Sequence, residues 1–346
     1  MAEPLESQIA QSGSFPRIIA DGLSMPTPER QWFEQWSVGN IGCVNCCIAV
    51  WENSRETLAI LGKWRRTLAE NADLVAAATS VEEIREVAAS GRTAVVFGFQ
   101  NTAPIEHDIE LFGQFRALGI CIMQLTYNLQ NNIGCGYWEK VDSGISSCFG
   151  NLAIEEMNRV GIMIDLSHCG EQTTLDAIRL SQRPVAITHA NPREYVGTPV
   201  YGAGRLKTTE AIKLLGARKG VIGLTPNRNM TQNGANTTLK QFCDMVAWTV
   251  DLIGIDSVAI GLDYCPGHPN SIRNGWRYAR WSRESAPADQ MVLKPHEGWS
   301  DWISSPAKIG NIGEGLLGRG FNQSEVDAIM GGNWLRVYKN CFSPDN

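Results

Sequence analysis

Two histidines, His168 and His189, each close a short apolar run: Gly161-Ile-Met-Ile-Asp-Leu-Ser-His168 and Pro184-Val-Ala-Ile-Thr-His189. A neutral imidazole is the commonest zinc ligand and also an effective proton carrier near neutral pH. Each run reads as a buried parallel strand that delivers its histidine at the C-terminal end. Adjacent strands lie about 4.8 Å apart, so the two rings can converge on one ion or one substrate. A third group, Asp263, closes Ser257-Val-Ala-Ile-Gly-Leu-Asp263. A carboxylate at such a strand end can bind a metal or act as a general base. Asp165 lies within its run and, by alternation, reads as structural. His107 reads as a surface residue at a helix start, while His268 and His296 fall in an irregular segment.

The elements that must position these groups repeat. Apolar, β-rich runs occupy roughly 17–21, 43–50, 93–99, 121–126, 161–166, 184–188, 220–225 and 257–262. Between them lie helical patterns at 53–70, 80–90, 107–118, 148–160, 170–181, 209–218 and 239–254; in the first, Leu58, Leu61, Trp64 and Leu68 share a face. Strict alternation implies right-handed βαβ crossovers, and eight units favour closure into a (β/α)8 TIM barrel over an open sheet. Such barrels place their chemistry at the C-terminal ends of the strands. The chain reads as one domain, 1–346. Residues 264–308 lose periodicity and read as a lid or an intersubunit arm. Helices at 310–317, 322–330 and 333–339 follow, expected to pack outside the barrel.

Composition narrows the function classes. The chain is 43% hydrophobic and 19% charged, with a net charge of −6, which argues against a nucleic-acid partner. The cluster Arg273, Trp276, Arg277, Tyr278, Arg280, Trp281 and Arg283 therefore reads as a lid or subunit contact. No apolar run reaches a membrane span. The ten cysteines sit within elements, and alternation turns Cys43 and Cys46 to opposite faces, against a zinc or redox pair. Without a recognisable secretion signal, a cytoplasmic location is the expectation.

The fragments Met163-Ile-Asp-Leu-Ser-His168 and Arg183-Pro-Val-Ala-Ile-Thr-His189-Ala-Asn together resemble the paired-histidine signature of the membrane (renal) dipeptidase family. Leu125-Thr-Tyr-Asn128, Gly261-Leu-Asp263 and Gly331-Gly-Asn-Trp-Leu-Arg336 resemble further stretches in the same order, so the likeness runs from about Ile18 to Phe342. The resemblance implies a barrel that hydrolyses dipeptides with two zinc ions bridged by a glutamate. It makes His168 and His189 ligands of one zinc and Asp263 the carboxylate after the last strand. It also makes Arg205 the group that grips the substrate carboxylate, a role suited to a planar guanidinium. Asn128 and Gln100 are the other expected substrate contacts.

Four positions depart from the family pattern. Leu23 and Met25 stand where its first strand carries a histidine and an aspartate ligand, Gln100 replaces the bridging glutamate, and Tyr127 replaces a histidine after the fourth strand. Leucine and methionine do not bind zinc as imidazole and carboxylate do, so at most one zinc is expected. Gln100 or Glu106 could complete its coordination. The leading expectation is an amide hydrolase acting on a dipeptide or small carboxylate-bearing amide, with Asp263 as base and Tyr127 as oxyanion donor. The alternatives are a metal-free lyase, isomerase or cyclase using His168, His189, Asp263 and Tyr127, or a non-catalytic binding protein. The family resemblance also implies a homodimer.

Overall fold

A computed structural model describes residues 17–197, 203–268 and 299–343. Nine parallel strands form the sheet: β1 (Ile19–Ser24), β2 (Ile41–Ala49), β3 (Val75–Ala77), β4 (Thr93–Phe99), β5 (Ile120–Gln124), β6 (Met163–Asp165), β7 (Ala186–Ile187), β8 (Val221–Leu224) and β9 (Val258–Ile260). Eight run in the order β1-β2-β4-β5-β6-β7-β8-β9, and β3 pairs only with β4. The eight are the expected ones. The unexpected β3 is three residues long, too short for any periodic signal. The helix Arg30–Val38 was also unexpected.

The sheet closes between β9 and β1. Ser24 bridges Tyr264 in parallel, Asp263 N–H donates to Leu23 O at 2.9 Å, and Met25 N–H to Tyr264 O at 2.9 Å. Asp21 stitches the seam: its carboxylate accepts from Leu262 N at 2.8 Å, Leu23 N at 3.1 Å and Ser24 Oγ at 2.6 Å. Burial nonetheless pushes this carboxyl up to about 7.

Helices sheathe the barrel. Those at Ser54–Glu70 and Leu239–Ile253 begin with reciprocal capping boxes, Asn53 with Glu56 and Thr238 with Gln241. The first buries Thr57, Leu61, Trp64 and Leu68, so Thr57 takes the inward place expected for Leu58, which is exposed.

The C-terminal segment does more than pack outside. A π-helical turn, Ala328–Gly332, precedes the helix Asn333–Cys341. It sets Trp334 into a buried cluster with Ala20, Ala94, Ala186 and Ala259 at the base of the barrel. The indole Nε1–H donates to Ile260 O at 2.9 Å, and Asn333 Nδ2 donates to Ile255 O and Val258 O at 2.8 and 2.7 Å. A Cβ on Gly22 would collide with the Trp334 ring, and one on Gly223 would lie 2.8 Å from it. Small residues have thus vacated volume that branched side chains ordinarily fill, and one indole from the tail occupies it. The Gly331–Arg336 stretch is a structural plug.

Among the described residues, no helix is long and apolar enough to cross a membrane. Most of 264–308 lies outside the described residues, including Trp276 and Trp281. At its end Trp302 Nε1 donates to Thr237 O at 2.8 Å, and Trp299 meets Tyr264 edge-on with ring centres 5.4 Å apart.

Replacing Trp334 with Ala removes the plug, and equilibrium unfolding in urea should register a loss of about 3–5 kcal/mol. Asp21 predicts a pH effect. Because its folded pKa lies above the unfolded value, the folded chain holds the extra proton between about pH 4 and 7. That contribution is present at low pH and is lost as pH rises through 7. The stability difference between wild type and Asp21→Asn should therefore shift against wild type by up to about 1.4 kcal/mol per pH unit across that window, read from urea curves at several pH values.

Candidate active site

β6 and β7 end within a few residues of their histidines, and the structure brings the two rings together. His168 Nε2 and His189 Nε2 stand 3.1 Å apart, with ring centres at 5.2 Å. Both residues are buried, at 8% and 0% exposure. Burial first, then the charge of Arg205, holds each imidazole well below the usual histidine range, so both are neutral.

The other ring nitrogens decide which way the lone pairs face. His168 Nδ1 lies 2.8 Å from Asn128 Oδ1, an oxygen that only accepts. His189 Nδ1 lies 2.7 Å from Thr188 Oγ1, whose own proton goes to Asp165 Oδ2 at 2.7 Å. With their protons on Nδ1, both rings would turn an Nε2 lone pair toward the same point. Two nitrogens on one tetrahedral zinc at about 2.0–2.1 Å stand roughly 3.3 Å apart, close to the separation seen here. This half of the site fits one metal ion.

The other half does not. Leu23, Met25, Cys47 and Val50 form a buried apolar cluster, with Trp51, Tyr127 and Cys265 packed against it. Gln100 is buried there, its Nε2 3.5 Å from Met25 Sδ, and its backbone oxygen accepts from Gln124 Nε2. Glu106 is not brought to the histidines: its carboxylate accepts from Ser54 N and Oγ at 3.1 and 3.0 Å on the surface. That corrects the expectation that it might complete the metal site. A position with φ of 55° turns it outward. Among the described residues no group of three His, Cys, Asp or Glu could hold a metal. His107 is exposed, as expected.

Tyr127, Asn128 and Arg205 contact the pair, and Asp263 lies at the seam of the barrel. Tyr127 stacks on His168 with ring centres 4.1 Å apart. Asp263 is half-buried at the end of the last strand, and Asn227 Nδ2 donates to its Oδ2 at 2.7 Å. Asp263 and Asn128 both have φ near 60°, a left-handed conformation that Asp and Asn tolerate best among residues with a Cβ. Arg205 is buried, and its guanidinium donates to Ser167 O and, at 2.9 Å, to His189 O. It is anchored on the two histidine-bearing segments themselves.

Two buried groups went unread as functional. Asp165 accepts four hydrogen bonds, from Ser167 N at 3.0 Å, Ser167 Oγ at 2.6 Å, Thr188 N at 2.9 Å and Thr188 Oγ1 at 2.7 Å. Burial raises its pKa while these donors pull it back. Lys207 donates to Cys169 O at 2.8 Å and Thr174 Oγ1 at 3.0 Å, and burial lowers its pKa to about 8. The sequence signal for the first was a hydroxyl residue directly before each histidine, Ser167 and Thr188.

The family model described as membrane dipeptidase, peptidase family M19, matches residues 25–282. This chain is a member of the membrane dipeptidase family. An amidohydrolase of Pseudomonas aeruginosa is 30% identical, with a TM-score of 0.85 over 94% of this chain and 97% of that one. Dipeptidase ataJ of Aspergillus terreus is 25% identical over 308 residues, 82% of this chain and 67% of its own. Dipeptidase verJ of Clonostachys rogersoniana is 28% identical over 221 residues, 62% of this chain and 54% of its own. The chain thus spans roughly half to two-thirds of these curated relatives. The apolar cluster of Leu23, Met25, Cys47 and Val50 offers no imidazole or carboxylate to a metal ion.

Proposed function

We propose that this family member hydrolyses the amide bond of a dipeptide or another small amide bearing a carboxylate, using at most one zinc ion held by His168 and His189. The observation that carries the reading is the 3.1 Å approach of the two Nε2 atoms, a separation that one shared zinc ion spans. A zinc ion there supplies Lewis acidity and lowers the pKa of bound water toward about 7.

The chain's own groups do the rest. Asp263, which accepts from Asn227 Nδ2, takes the proton of the attacking water and returns it to the leaving amine. Tyr127, fixed by stacking on His168, offers its phenol to the oxygen that gains negative charge. Arg205 places a permanent positive charge beside the pair, which favours a substrate with a free carboxylate. Asn128 holds His168 in register beside the substrate it is expected to meet. Gln100, set against Met25, lines the apolar side. We further place the protein in the cytoplasm as a homodimer acting on a small molecule.

A second reading has one specific support. A separation of 3.1 Å is also that of an N–H···N hydrogen bond, so the two imidazoles could share a proton in a metal-free lyase, isomerase or cyclase. Elemental analysis of freshly purified protein separates the two. The hydrolase reading expects close to one zinc per chain, dipeptide hydrolysis lost on chelation and regained with zinc, and a drop in turnover of about 10²–10⁴-fold in Asp263→Asn. Full turnover by metal-free protein rules it out.

A further inference from the structure

The four hydrogen bonds on Asp165 come from only two residues, Ser167 and Thr188, each of which directly precedes a candidate ligand. Asp165 lies on β6, and Thr188 follows β7. One carboxylate therefore ties together the two segments that carry the histidines. Ser167 Oγ gives its proton to Asp165 Oδ1 and accepts from His189 N at 3.1 Å. Thr188 Oγ1 gives its proton to Asp165 Oδ2 and lies 2.7 Å from His189 Nδ1. A hydroxyl has one proton to give. Once the Thr188 proton points at the carboxylate, its oxygen can meet His189 Nδ1 only as an acceptor.

We propose that Asp165, acting through the Thr188 hydroxyl, fixes His189 as the Nδ1–H tautomer and so keeps its Nε2 lone pair turned toward His168. Asp165 and Thr188 are then positioning residues of the site. The inference rests on the hydrolase reading only in taking Nε2 as the working atom of His189. The opposite arrangement, with Thr188 donating to Nδ1, strips Oδ2 of its hydroxyl donor in an interior where Asp165 is 1% exposed. It also puts a proton on Nε2, where a metal would bind. Outer hydrogen bonds of this kind set which ring nitrogen is available to a ligand.

The test reads the tautomer directly, in metal-free protein labelled with ¹⁵N at histidine, by long-range ¹H–¹⁵N spectra near neutral pH. Wild type and Thr188→Ser, which keeps the hydroxyl, should both show His189 protonated on Nδ1. Thr188→Val, nearly the same shape without the hydroxyl, should move the proton to Nε2 and weaken zinc binding about 10–100-fold. A Thr188→Val protein with the wild-type tautomer and zinc affinity overturns the proposal. So does a wild-type spectrum with the proton on Nε2, which decides the matter even where Thr188→Val does not fold. Absence of zinc uptake by wild type defeats the hydrolase reading alone, because the spectra of metal-free protein still separate the two tautomers.

Discussion

Two neutral imidazoles with their lone pairs pointing at each other make an arrangement that does not persist unaided. Each ring must be held against rotation and against moving its proton to the other nitrogen. Asn128 does this for His168 and the Thr188–Asp165 pair for His189. Their surroundings supply the remaining constraint. Burial and the guanidinium of Arg205 keep both rings uncharged, the form in which imidazole serves as a ligand. Strand ends, loop conformations and buried carboxylate all serve this one juxtaposition.

Beside the histidines, beyond the stacked ring of Tyr127, the barrel mouth is apolar. Leu23 and Met25 pack there with Cys47 and Val50, none of them a hard, charged donor. Arg205 and Lys207 lie near the histidines, so the local charge balance beside the pair leans positive. Anionic ligands gain from that balance, whereas a second divalent cation would lose twice, through missing donors and through repulsion.

Much of this was legible in the residues. The barrel strands announced themselves as apolar runs because parallel strands buried on both faces have no polar side to interrupt them. The histidine pair was legible because both members occupy the same place in successive units. Asp165 was not. Alternation assigns it an inert direction, but β6 is only three residues long and the chain leaves strand geometry before Ser167. Glu106 misled for a different reason: its partner, Ser54, is 52 residues away, and no local pattern records that contact. The fate of Trp334 was equally hidden, since a helix amphipathic enough to lie on a surface looks the same as one that lends a ring to an interior.

That ring has a bearing on how the protein is made. Chains emerge from the ribosome N-terminus first, and domains generally gather as they emerge. All eight staves and both histidines precede residue 334, yet the hollow beneath Gly22 and Gly223 stays unfilled until that residue arrives. A nascent barrel thus waits, with its strands and both histidines made and its floor open, for a keystone synthesised after all of them.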